Sequence, residues 1–163
     1  HGITVEAELG HVGNGSVGSI SETGTDTDPG ESLTVPEEVA KFVEITDVDA
    51  LAVAIGTAHG VYKGIPKLDL ERISQIRQVV SVPLVLHGTS GVPDDTVREC
   101  IRRGMCKVNY ATDLRSAFSN GVKEYLAANP DVYDPKKYCA KGRELVKQYV
   151  MQKILVCGSN GRA

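Results

Sequence analysis

Two histidines, His59 and His87, each close an apolar run and precede a glycine, in Ala50-Leu51-Ala52-Val53-Ala54-Ile55-Gly56-Thr57-Ala58-His59-Gly60 and in Val82-Pro83-Leu84-Val85-Leu86-His87-Gly88. If both runs are strands of one parallel sheet, the imidazoles stand at neighbouring positions on its rim, where a divalent metal site can be built. On spacing alone, a pair of hydrogen-bonded loop histidines is an equal reading. A catalytic zinc takes three protein ligands. Glu8, near the end of Thr4-Val5-Glu6-Ala7-Glu8-Leu9, can add a carboxylate, with a salt-bridged interior residue as its alternative. The turns Gly88-Thr89-Ser90-Gly91 and Asn109-Tyr110-Ala111-Thr112 each follow a strand and precede a helix. Their backbone N–H groups and hydroxyls can converge on an anion such as phosphate. Neither matches a P-loop or a dinucleotide fingerprint, and a purely structural turn is the competing reading for each. Lys63, Lys67 and Lys107 raise the alternative of a Schiff-base enzyme. Lys63 sits among solvated neighbours and Lys107 is expected at the start of its strand, away from the rim, so a solvated or phosphate-pairing role suits Lys63 better than that of a buried nucleophile.

These residues need a scaffold, and its elements follow from periodicity. Val5, Ala7 and Leu9 alternate with Glu6 and Glu8, which places both carboxylates on one face of a strand. From Gly10 to Gly30 the chain is rich in Gly, Ser, Thr and Asp with little to bury, so a long mobile loop is expected across 10–34. Pro36 at a first helical position, Glu37 and Glu38 in the first turn, and Val39, Phe42 and Val43 at helical spacing predict an amphipathic helix. The run Ala50 to Ile55 reads as a strand apolar on both faces, as in a covered parallel sheet. Asp69 is a candidate cap for a helix through Leu70, Ile73, Ile76 and Val79. Strand Val82 to Leu86, a helix over Val97, Cys100 and Ile101 closed by Gly104, and strand Cys106 to Tyr110 repeat the plan. Thr112 is expected to cap a further helix, Lys136 to Cys157 to form a terminal one, and Cys157 to Ala163 to be a frayed or docked end.

Four strands, each followed by a helix, make the class α/β with a parallel sheet and right-handed crossovers. A full (β/α)8 barrel, the TIM barrel, needs about 250 residues. The expectation is therefore a single domain, 1–163, forming the second half of such a barrel with a C-terminal helical extension. On that reading the two anion turns follow strands 7 and 8, where barrels of this kind place phosphate. The chain opens on His1 and enters a strand within four residues, as a piece of a longer polypeptide would.

Composition narrows the partners. Eighteen Lys and Arg against 21 Asp and Glu leave a net charge of −3 in 163 residues, without a basic cluster interleaved with aromatics, which argues against nucleic acid. The longest apolar run, Ala50 to Ile55, falls far short of the roughly 20 residues of a membrane span. Four cysteines without a CxxC pair, set in apolar patterns, suit buried thiols in a reducing compartment, and a cytoplasmic protein is expected.

Four stretches in order, VEAELG (Val5 to Gly10), LAVAIGTAHGVYKGIPKLD (Leu51 to Asp69), PLVLHGTSG (Pro83 to Gly91) and KVNYATDLR (Lys107 to Arg115), resemble the class II, metal-dependent ketose-bisphosphate aldolases. The terminal CGSNGRA is similar to the tagatose-bisphosphate branch. The resemblance implies a zinc enzyme that reversibly cleaves fructose or tagatose 1,6-bisphosphate into dihydroxyacetone phosphate and glyceraldehyde 3-phosphate, the metal stabilising the enediolate. It implies His59 and His87 as zinc ligands and Glu8 at a second, displaced metal position. Gly60, Gly88, Thr89, Ser90, Asn109, Tyr110, Ala111 and Thr112 match segments that hold dihydroxyacetone phosphate, and the loops around the HG and GTSG turns match those that take a monovalent cation, Na⁺ or K⁺. It further implies a homo-oligomer, dimer or tetramer. The family's third zinc-binding histidine and its general acid/base aspartate belong to earlier strands than any in this sequence, so the chain alone is expected to turn over little or nothing. Where the family carries a carboxylate in the loop after VEAELG, this chain has His11 to Ser16, with Glu22 as a stand-in. The alternative is a catalytically incomplete half-barrel that binds phosphorylated ligands or a partner subunit.

Overall fold

The computed structural model describes residues 1–14 and 33–162. Most of the 10–34 segment, Glu22 included, lies outside the described residues. The chain divides into two compact units, His1–Tyr110 and Ala111–Ala163.

The first unit runs β1 (Glu6–Leu9), β2 (Gly13–Asn14), α1 (Pro36–Thr46), β3 (Ala50–Val53), β4 (Ala58–His59), α2 (Leu70–Val79), β5 (Leu84–Leu86), α3 (Asp94–Arg102) and β6 (Met105–Val108). Local chemistry sets the helix ends. Pro36 opens α1, where its missing N–H is of no consequence and Glu37 and Glu38 favour the positive end of the helix dipole. Asp69 caps α2 by accepting the Arg72 N–H at 3.1 Å, and also pairs with the Arg72 guanidinium at 2.9 Å.

β1, β3, β5 and β6 form a parallel sheet in that order, and β2 pairs with β4 in a separate two-stranded sheet. The four-strand α/β plan holds, with the β2–β4 pair as an addition that the sequence pattern did not signal. Leu51, Val53, Ile55, Leu84, Leu86 and Met105 pack against Val39 of α1, Ile73 and Ile76 of α2 and Cys100 of α3 in one apolar cluster. Removing one of these Leu or Ile side chains to Ala would cost about 2–5 kcal/mol. All four cysteines are free, and burial pushes the Cys100 thiol up to about 11, which keeps it an inert core residue.

The second unit is a helical hairpin of α4 (Thr112–Ala128) and α5 (Pro135–Val156). Thr112 is the first helical residue of α4, not its cap. Ala111 takes the non-helical position at φ −135°, and its carbonyl accepts the Arg115 N–H at 3.1 Å. The hairpin closes on glycine. A Cβ at Gly121 would lie 2.8 Å from Gly142 Cα and 2.8 Å from the Lys141 carbonyl oxygen, so the helices touch backbone to backbone. Gly121→Ala gains up to about 1 kcal/mol of helix propensity but forces apart atoms that cannot rotate away, an overpacking cost of about 1–3 kcal/mol. A lowered melting temperature is the expected outcome; an unchanged or raised one would show that the helices separate without loss.

Candidate metal and phosphate site

The face of the sheet opposite the apolar cluster is polar. Register pairs Glu8 with Ala52, Ala52 with Val85 and Val85 with Lys107, and residues paired across a parallel sheet share a face. Glu6, two residues before Glu8, and His87, two after Val85, extend that face by strand alternation. Ala52 and Ala54 in the middle are buried and small, which leaves room for the long side chains that flank them.

Lys107 Nζ lies 2.8 Å from Glu6 Oε2, although β6 and β1 are the two outer strands. A flat sheet would hold them about 14 Å apart at the usual spacing, so the sheet curves with its polar face concave. This places Lys107 inside the site and corrects the expectation that it stands away from the rim. It is the third residue of β6, and the register irregularity between Leu84 and Val85, where the partner jumps from Met105 to Lys107, carries it to the polar face.

His87 is the hub. Its Nδ1 lies 2.5 Å from Glu8 Oε2 and its Nε2 3.2 Å from Glu6 Oε1. The Lys107 ammonium, and after it the His87 ring, hold the Glu6 carboxyl below the usual carboxylate range despite partial burial. The His59 ring, carried on β4, has its centroid 6.1 Å from that of His87. With nitrogen–zinc bonds of about 2.0–2.1 Å, that separation lets two imidazoles reach one ion. When one nitrogen of His87 turns to a metal, the other keeps a carboxylate, the orienting bond that zinc-binding histidines use. Two imidazoles and a carboxylate are also donors that zinc accepts. Among the described residues no three His, Cys, Asp or Glu already gather in metal-binding geometry. The structure thus brings His87 beside Glu8 and the His59 ring near that of His87, two pairs rather than one three-ligand group, with Glu6 and Lys107 as further neighbours of His87 and Glu6 respectively. Glu6 was legible in principle, since alternation puts it beside Glu8.

Tyr62, half-buried, joins the two histidine loops. Its hydroxyl accepts the Ala58 N–H at 2.7 Å and donates to the Gly88 carbonyl at 2.8 Å. Burial raises the phenol above its ordinary range, which retains the proton it donates. The loops also touch directly, since a Cβ at Gly88 would lie 2.7 Å from the Ala58 carbonyl oxygen. Thr57 is buried with no hydrogen-bond partner for its hydroxyl among the described residues, an orphan that a bound cation or water would satisfy. Thr34, buried, donates to the Leu9 carbonyl at 2.5 Å and accepts the Ala54 N–H at 2.8 Å, fixing the chain where it returns to the ends of β1 and β3.

The anion turns are arranged less uniformly than expected. Gly88 and Gly91 have φ of +64° and +81°, and the Val92 N–H closes on the Thr89 carbonyl at 3.0 Å. Thr89 turns its hydroxyl inward to the Leu86 carbonyl at 3.2 Å, while Ser90 is nearly buried in the same turn. Gly60, directly after His59, has φ of +100°. The Asn109 N–H is committed to the Leu86 carbonyl at 3.0 Å, and Asn109 and Tyr110 end the first unit, while Ala111 and Thr112 begin the second.

A family model described as fructose-bisphosphate aldolase class-II matches residues 1–162. Among solved structures, the YdjI aldolase from Escherichia coli K12 is 36% identical, with a TM-score of 0.78 over 99% of this chain and 51% of its own. A fructose-bisphosphate aldolase from Campylobacter jejuni is 26% identical, with a TM-score of 0.72 over 96% of this chain and 52% of its own. The chain spans about half the length of these structures.

Proposed function

Because the chain belongs to the class II fructose-bisphosphate aldolase family, we propose that it supplies half of a zinc-dependent active site that cleaves a ketose 1,6-bisphosphate, fructose or tagatose, into dihydroxyacetone phosphate and glyceraldehyde 3-phosphate. The observation that carries this reading is the approach of the His59 ring, on β4, to the ring of His87, whose Nδ1 lies against Glu8 of β1. His59 and His87 would hold the zinc, and Glu8 would orient His87 or take a displaced ion. When bound, zinc supplies Lewis-acid stabilisation of the enediolate charge that develops as the carbon–carbon bond breaks. Glu6 and Lys107 fix the carboxylate side of the His87 ring.

Substrate phosphate is assigned to backbone donors of Gly88 and Thr89, to the backbone and hydroxyl of Ser90, and to Asn109 and Tyr110 at the end of the first unit, with Gly60 giving close backbone approach. The inward hydroxyl of Thr89 leaves its backbone as the contributing group. The orphaned Thr57 hydroxyl supports a monovalent cation, Na⁺ or K⁺, beside these loops. Curvature of the sheet supports reading this chain as the second half of a TIM barrel with a C-terminal helical extension; a cytoplasmic homo-oligomer is the setting that the family resemblance implies. No helix among the described residues is long and apolar enough to cross a membrane.

The test is zinc content together with chelator-sensitive cleavage of both ketose bisphosphates. Ser90→Ala provides a narrower check. Loss of one hydrogen bond to phosphate costs about 1 kcal/mol, roughly fivefold in affinity for dihydroxyacetone phosphate, and unchanged affinity would remove Ser90 from the site.

A further inference from the structure

We propose that Tyr62 is a positioning residue for the metal site, setting the spacing of the two imidazoles by holding the backbones of their loops. The proposal rests on the reading of His59 and His87 as zinc ligands. The geometry is specific to that task. The hydroxyl bridges Ala58, the residue before His59, to Gly88, the residue after His87, at 2.7 and 2.8 Å. One oxygen therefore spans the two ligand loops, accepting from one and donating to the other, which uses both capacities of a phenol. The ring is seated as well, since a Cβ at Gly91 would lie 3.1 Å from its Cδ2. The backbones beside the two histidines cannot move apart without breaking one of these bonds, and the backbone contact between Ala58 and Gly88 prevents the loops from closing further. Loops held this way keep their backbone spacing while His87 exchanges one carboxylate for the ion, and loss of a partner outside the ligand set typically weakens metal binding by 10–100-fold.

Tyr62→Phe isolates the hydroxyl, because the ring keeps its seat against Gly91. Zinc affinity is measured by chelator competition on the full chain, on Tyr62→Phe, on His59→Ala and on Gly121→Ala. The last disturbs the α4–α5 hairpin alone and shows what general destabilisation does. The expected result is about tenfold weaker zinc in Tyr62→Phe, with unchanged affinity in Gly121→Ala, and a displaced visible absorption spectrum for the cobalt(II)-substituted Tyr62→Phe protein. Parent-like affinity and cobalt spectrum in Tyr62→Phe, while His59→Ala has lost its ion, would overturn the positioning role and leave the zinc assignment standing. Equal zinc binding by the parent and His59→Ala would remove the ion from these loops and overturn both.

Discussion

His87→Ala is expected to lose zinc, and with it bond cleavage, more completely than substitution of any residue outside the proposed ligand set. The side chain does two things at once. On the proposed reading it offers a ring nitrogen to the ion, and it occupies the space between Glu8 and Glu6, at 2.5 and 3.2 Å. Without it, Lys107, bound to Glu6, is the one close cation left to the two carboxylates among the described residues. Removing a ligand should exceed the 10–100-fold loss in metal affinity that follows removal of an outer partner, so at least a hundredfold is expected. Glu6→Gln, which weakens the orientation of His87 and leaves both histidines in place, should fall within that smaller range. Metal analysis after dialysis separates these cases, and full zinc occupancy in His87→Ala would refute the ligand assignment.

Gly88→Ala is expected to damage stability and site together. Gly88 holds φ of +64°, a left-handed conformation that costs an L-residue about 1–2 kcal/mol. Its added methyl would also meet the Ala58 carbonyl oxygen at 2.7 Å and the carbonyl carbon at 2.9 Å. Backbone atoms cannot rotate away, so the histidine loops must separate, at an overpacking cost of about 1–3 kcal/mol. A loss of about 3 kcal/mol, read from the urea midpoint, should accompany weakened zinc binding. Gly64→Ala is the contrast, since its new methyl meets nothing within 4 Å, and it should leave both quantities near those of the parent. Equal behaviour of the two variants would mean that the loops are not in the close contact described.

What could be read from the residues divides along physical lines. Apolar runs and capping chemistry are local, and so the strand at Ala50, the Asp69 cap and the Pro36 helix start were legible. Thr112 misled because its hydroxyl suits a cap, while the backbone at Ala111 takes that position without a side-chain bond. The β2–β4 pair is two residues long on each side, too short for alternation to register. Lys107 was misplaced because its position depends on a register irregularity and on curvature across four strands, neither of which one strand's sequence encodes. Tyr62 was missed for a related reason: its role lies in hydrogen bonds to two backbone groups, one of them 26 residues away, and backbone partners leave no pattern in side-chain identity. His59, His87 and Glu8, in contrast, were legible as candidates from their place at strand ends.

The central claim is that zinc held by His59 and His87 serves ketose-bisphosphate cleavage. Its most direct test is metal content measured alongside cleavage of fructose and tagatose 1,6-bisphosphates, on this chain alone and with the preceding half of an aldolase barrel supplied. Cleavage that appears in the completed protein, disappears in chelator and returns with zinc is the predicted result. Cleavage that survives complete removal of zinc, with borohydride trapping substrate on Lys63 or Lys107, would contradict it.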